Sequence, residues 1–120
     1  MSAFLTKLCM ENADDQDDGE WQLALPLRYR SDVANRIIEV PAGFHTDLAS
    51  VPRWPVIYLL TGDTSTEAAV VHDYLYSTHI VKRSVADAVL REASKVTGVP
   101  AWRRWAMWAA VRAFGGSHWR

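Results

Sequence analysis

With a single cysteine, Cys9, the 120-residue chain can form neither an internal disulfide framework nor a thiolate metal cluster of its own. Cys9 lies in an apolar run with Phe4, Leu5, Leu8 and Met10, which predicts packing in a core or strand rather than a nucleophile. No uninterrupted apolar stretch approaches the roughly 18–20 residues that span a bilayer. The N-terminus lacks a basic start followed by a long apolar core, so no signal peptide is expected, and the default location is the cytoplasm of the producing cell. Net charge is only −1, which leaves no global electrostatic case for nucleic acid. Internal repeats and flexible linkers are absent too. What remains is one domain over residues 1–120, long enough to bury a core but with little to spare.

Charge is unevenly spread. Acidic residues concentrate in the first fifty positions, and Arg103, Arg104, Arg112 and Arg120 make the C-terminal part the basic end. Residues 11–20 form an acidic run whose spacing lacks the closing glutamate of a calcium loop, so a solvated loop between two strands is expected. Trp21, Leu23, Leu25 and Leu27 alternate with Gln22, Ala24 and Pro26, the period of a half-buried strand. Ser31 to Asn35 reads as a turn, Arg36–Val40 as the returning strand, and Pro41-Ala42-Gly43 as its end. Residues 1–42 are therefore expected to be mostly β.

From residue 64 the period changes to 3.6. Thr64 and Glu67 have capping-box spacing and predict a helix from about Ser65 to Ser77. Ser84 and Asp87 repeat that spacing and predict a helix over 85–97, with Gly98 as its stop. Pro100 suits the first turn of a third helix, from Trp102 to Phe114. Residues 43–63 read as a functional loop between the two halves. The fold class expected is α+β: a small N-terminal antiparallel sheet followed by three packed α-helices.

The chemistry centres on Ala69-Val70-Val71-His72-Asp73-Tyr74-Leu75-Tyr76. Burying an adjacent histidine and carboxylate in an apolar helix costs several kcal/mol unless they are paired or liganded. Helical spacing sets Ala68, His72 and Tyr76 on one stripe and turns Asp73 about 100° away. If the first two helices meet antiparallel, Asp87 can pair with His72, fix its tautomer and support the imidazolium formed on proton abstraction. The bland reading of Asp87 is the capping box alone. In the loop, His45, Asp47, Ser50 and Arg53 add further polar groups. Ser50 lacks a Gly-x-Ser-x-Gly setting. His45, Asp47, His72 and Asp73 could bind Zn2+, although no HExxH pair occurs. His79 and His118 look incidental. The third helix is apolar nearly all round, with Trp102, Trp105, Met107, Trp108, Ala109, Val111 and Phe114 broken by Arg103, Arg104 and Arg112. A central core helix is one reading; a membrane-surface or partner-binding helix is the other.

Two resemblances follow from these residues. Gly43-Phe44-x-Thr46-Asp47-x-Ala49-Ser50-x-Pro52-Arg53, Ala68-Ala69-x-x-His72-Asp73-x-x-Tyr76, Ala86-Asp87 and Val111-Arg112-x-Phe114-Gly115 together resemble the uncharacterised domain family numbered 1353 over about residues 36–119. That resemblance implies a bacteriophage or prophage origin rather than a reaction. More locally, His72-Asp73-x-x-Tyr76 followed by Ala86-Asp87 is similar to the catalytic helices of phospholipase A2 enzymes. It implies His72 as general base, Asp73 as Ca2+ ligand, Asp87 as orienter and Tyr76 as its support. Those enzymes complete the cation site with a glycine-rich loop; Thr61-Gly62-Asp63-Thr64 holds one glycine, so the Phe44–Arg53 loop would substitute through Asp47. The expected function is a small phage-encoded hydrolase of ester or lipid substrates, used in lysis or entry. The alternative is a virion, tail or assembly protein in which the same residues form a structural polar network. Expected partners are a membrane surface or cell-envelope substrate at the Trp/Arg helix, or phage structural proteins, and no nucleic acid.

Overall fold

The computed structural model describes residues 2–12, 20–47, 66–114, 116 and 119. Ser50, Arg53 and most of the expected loop lie outside them. In the N-terminal part, strands β1 (Ala3–Phe4), β4 (Leu27–Ser31) and β5 (Arg36–Val40) form one antiparallel sheet in the order β1-β4-β5. Alternation decides which face is buried: Leu27, Tyr29 and Ser31 of β4 point inward with Ile38 and Val40 of β5, while Arg28, Arg30 and Glu39 stay outside. The register sets Leu27 opposite Val40 and Tyr29 opposite Ile38, so the inward residues meet as cross-strand pairs. The turn between them is the one read from sequence, with Asn35 at φ 55°, a left-handed conformation that asparagine tolerates.

Strands β2 (Met10–Asn12), β3 (Glu20–Leu23) and β6 (His45–Asp47) make a second antiparallel sheet, ordered β2-β3-β6. The N-terminal half is thus antiparallel, as expected, but divided in two. The division falls inside the run that alternation reads as one strand. Its residues 24 and 25 bend, Leu25 is 58% exposed, and Pro26 has no N–H to offer a ladder. Leu23 ends one sheet and Leu27 begins the other. Cys9 is exposed between β1 and β2, correcting the expected packing; its carbonyl accepts from the Ala24 amide at 2.8 Å.

Three helices follow: α1 (Thr66–Thr78), α2 (Arg83–Val96) and α3 (Ala101–Phe114). α2 begins two residues before the expected start. Extended Lys82 precedes it without a side-chain cap, and Ser84 already lies in the first turn, so the Ser84/Asp87 capping box does not form. At the other end Gly98 adopts φ 93°, its amide bonds Lys95 O, and the Val99 amide bonds Ser94 O, the paired bonds of a left-handed glycine stop. The Pro100 carbonyl accepts the first helical bond of α3, from Arg104 at 3.0 Å.

One core joins both halves. Leu23, Leu27, Tyr29, Ile38 and Val40 pack with Val70, Val71 and Leu75 of α1, Val89 and Leu90 of α2, and Met107 and Val111 of α3. Each such side chain stabilises the fold by about 1.5–3 kcal/mol relative to exposure. A polar tie reinforces this seam. Glu92 of α2 accepts from the Tyr29 hydroxyl (2.8 Å), the Ser31 hydroxyl (2.7 Å) and the Val33 amide (2.9 Å), fastening the β4–β5 turn to the helix layer. α3 is not the central core helix that its composition suggests. Among its described side chains Met107, Ala110 and Val111 are the buried ones, whereas Trp102 and Trp105 are 60% and 52% exposed.

Candidate functional site

α1 and α2 are joined by the short segment 79–82, which brings them back on each other. His72 then meets Asp87 and, one turn nearer the connection, Tyr76 meets Arg83, the pairing that an antiparallel seam requires. Alanines make the approach close: Ala68 on the His72 stripe and Ala86 beside Asp87 are both fully buried.

Asp87 is the hub. Its residue is 0% exposed, yet its carboxylate has partners on all three helices. Oδ1 accepts from Tyr76 Oη at 2.5 Å and lies 2.9 Å from His72 Nε2. Oδ2 accepts from Arg112 of α3 at 3.0 Å, with Arg83 Nε a further 3.9 Å away as an ion-pair partner. Arg83 also donates to Tyr76 Oη (3.2 Å) and to the carbonyls of Val111 (2.7 Å) and Arg112 (3.1 Å), tying the start of α2 to the end of α3. Trp119 returns to this corner, edge-on to Tyr76 at 5.0 Å and stacked on His79 at 3.9 Å. His79, incidental from sequence, closes α1 in a left-handed conformation (φ 55°) and supports that cover.

Burial raises the pKa of Asp87, but hydrogen bonds from His72, Tyr76 and Arg112 and the charge of His72 outweigh it, holding the carboxyl below its ordinary value. Tyr76 moves the other way: burial, then its bond to the Asp87 carboxylate, raise its pKa, so it remains a donor at neutral pH. A buried anion that accepts from a tyrosine, a histidine and an arginine is an organised electrostatic element. It orients the imidazole: a carboxylate at Nε2 accepts the N–H there, so the tautomer it favours in a neutral ring carries its lone pair on Nδ1, and the His72 side chain is 12% exposed.

The structure therefore brings together His72, Tyr76 and Asp87, three of the residues singled out from sequence. Asp87 acts through its side-chain partners and not as a helix cap. Asp73 lies on the neighbouring face of α1 and is half-buried. Strand β6 packs beside α1, and Phe44 stands edge-on to Tyr74 at 5.3 Å, so the start of the expected loop does reach the helix that carries His72. His45 is exposed on β6, paired with Gln22. The backbone of Asp47 pairs with Glu20, and its side chain lies outside the described residues, as do Ser50, Arg53 and His118. Among the described residues no group of three or more His, Cys, Asp or Glu is placed to hold a metal ion.

Sequence reasoning gave no role to Arg83 or Arg112. Arg83 precedes Asp87 by four residues, the spacing of a helical ion pair, and that signal was available. Arg112 stands in the sequence as a charge interrupting an apolar helix and as part of the Val111-Arg112-x-Phe114-Gly115 motif, neither of which names its partner; the buried Asp87 carboxylate explains it.

Fold and site together define an α+β protein of two small antiparallel sheets and three helices, with a buried His–Tyr–Asp–Arg cluster where the helices meet. The chain belongs to the family described as protein of unknown function, DUF1353, whose model matches residues 21–111. That span runs from β3 to Val111 and includes His72, Tyr76, Arg83 and Asp87, stopping one residue before Arg112. No curated protein and no solved structure matches the chain.

Proposed function

We propose that this is a small phage-encoded hydrolase in which His72 is the general base and Asp87 orients it. One observation supports this above the others: His72 Nε2 stands 2.9 Å from a carboxylate that is wholly enclosed, while the ring itself is partly open. In the reaction inferred, His72 Nδ1 takes a proton from water as the water oxygen bonds to an ester carbonyl carbon. The imidazolium, stabilised by Asp87, then returns the proton to the departing alkoxide. Tyr76 and Arg112 hold Asp87 in place through this cycle. Asp73, with Asp47, is proposed to carry a divalent cation that stabilises the oxyanion, Ca2+ in the first instance and Zn2+ as the alternative. An ester or lipid substrate suits a role in lysis or envelope entry. The protein would be made in the host cytoplasm, and a virion location belongs to the second reading.

That second reading is a non-enzymatic virion, tail or assembly protein, and the Arg83 bonds to two α3 carbonyls favour it, because they serve helix docking and no chemistry. A substitution separates the two. In His72→Gln the side-chain amide can still donate to Asp87 but cannot act as a base. Turnover of short-chain esters and phospholipid vesicles, with Ca2+ or Zn2+ added or chelated, should fall by about 10²–10⁴-fold in His72→Gln while the melting temperature stays close to wild type. If the folded wild-type protein hydrolyses none of these with either metal, the hydrolase reading fails and the structural one stands.

A further inference from the structure

We infer that the outer face of α3 is a docking surface for an anionic lipid bilayer. The solvent-facing stripe of this helix runs through Trp102, Trp105, Ala109 and Arg112, at the spacing of one helical face. Two large indoles are thus exposed where a globular protein ordinarily sets polar residues. Among the described residues of α2 and α3 beside these rings, the exposed charge has one sign. Arg91 of α2 lies 4.2 Å over the Trp105 ring and 5.1 Å from that of Trp108, and Arg103 lies 5.2 Å over Trp102. Lys95, one turn beyond Arg91, is exposed, and α3 contains no acidic residue. The acidic residues of α2 are engaged elsewhere, Asp87 inside the helix cluster and Glu92 on the β4–β5 turn.

Charge complementarity selects the occupant. Two copies meeting through this face would bring the Arg91 and Lys95 cations of one copy towards those of the other, which like-charge repulsion opposes. An anionic membrane answers both features at once: indoles settle at the headgroup level, and each Lys or Arg near the surface adds attraction. No helix among the described residues is long and apolar enough to cross a membrane, so the contact is peripheral. The inference is independent of the hydrolase reading. The stripe nevertheless ends at Arg112, whose guanidinium reaches Asp87, so a bilayer on this face would lie against the same helix that completes the cluster.

The test is flotation of the full chain with vesicles of phosphatidylcholine alone or with about one third phosphatidylglycerol, at low and high salt. Binding should be roughly tenfold or more tighter to the anionic vesicles and weaken with salt. A Trp102→Ser/Trp105→Ser variant should lose binding, and Arg91→Gln/Lys95→Gln should lose the preference for anionic lipid. His72→Gln should bind like wild type, which separates this surface from the fate of the catalytic proposal. Circular dichroism checks that each variant is folded. Absence of flotation with anionic vesicles, or unchanged flotation of the tryptophan variant, overturns the inference. So does a dimer in sedimentation velocity that the tryptophan variant abolishes without vesicle binding, since it would assign the face to a second copy.

Discussion

Asp87 carries an uncommon burden for one side chain: it is a fully buried carboxylate that accepts from side chains of α1 and α3 and pairs with Arg83 of its own helix. Truncation to alanine would leave the buried Tyr76 hydroxyl and the His72 and Arg112 donors without their shared acceptor, so Asp87→Ala should destabilise the protein by about 3–5 kcal/mol in urea denaturation. Asp87→Asn, which keeps an acceptor of the same shape, should cost less. The pH dependence follows from the direction of the pKa shift. The carboxyl titrates lower in the folded chain than in the unfolded one, so the unfolded state binds the proton first on acidification. Stability from Asp87 is complete above the unfolded value of about 4 and is lost as pH falls through the lower folded value. Wild type should therefore lose stability on acidification below about pH 4 more steeply than Asp87→Asn. Parallel acid limbs for the two proteins would show that the network does not favour the carboxylate.

Glu92 does at the level of elements what Asp87 does within the helix layer, because one carboxylate fixes a β-turn to α2. Tyr29 is 0% exposed and Ser31 2%, so removing their shared acceptor leaves two enclosed hydroxyls and the Val33 amide without it. Glu92→Ala should cost about 2–4 kcal/mol, and the exchange protection of the Val33 amide should drop more than that of amides in α1. Uniform loss across all elements would mean that the tie is not local. This level also shows what could be read from sequence. The three helices were legible within about two residues because apolar period and the Gly98 stop are local signals. The division into two sheets was not, since alternation continues unbroken through Leu25 and only the bend before Pro26 interrupts it. Pairing of His72 with Asp87 was legible as a consequence of antiparallel helices. Arg112 was not, because its partner is 25 residues away and depends on how α3 crosses the other two.

For the molecule as a whole, the distribution of the core decides how it unfolds. Among the described residues each N-terminal sheet has three strands, none longer than five residues. Their buried residues are continuous with those of α1, α2 and α3. Glu92 bridges the same boundary, and Phe44 on Tyr74 bridges it again from the second sheet. Among the described residues the core offers no plane along which one half can melt while the other keeps its packing. Thermal and urea unfolding should then be a single two-state transition, with far-ultraviolet circular dichroism, dominated by the helices, coinciding with loss of the native amide NMR resonances of β4 and β5. Separated midpoints would mean that the helix cluster around Asp87 is a self-sufficient unit and that the sheets are docked onto it. In Glu92→Ala the two midpoints are the place to look first, because the weakened tie lies on the boundary that such a separation would follow.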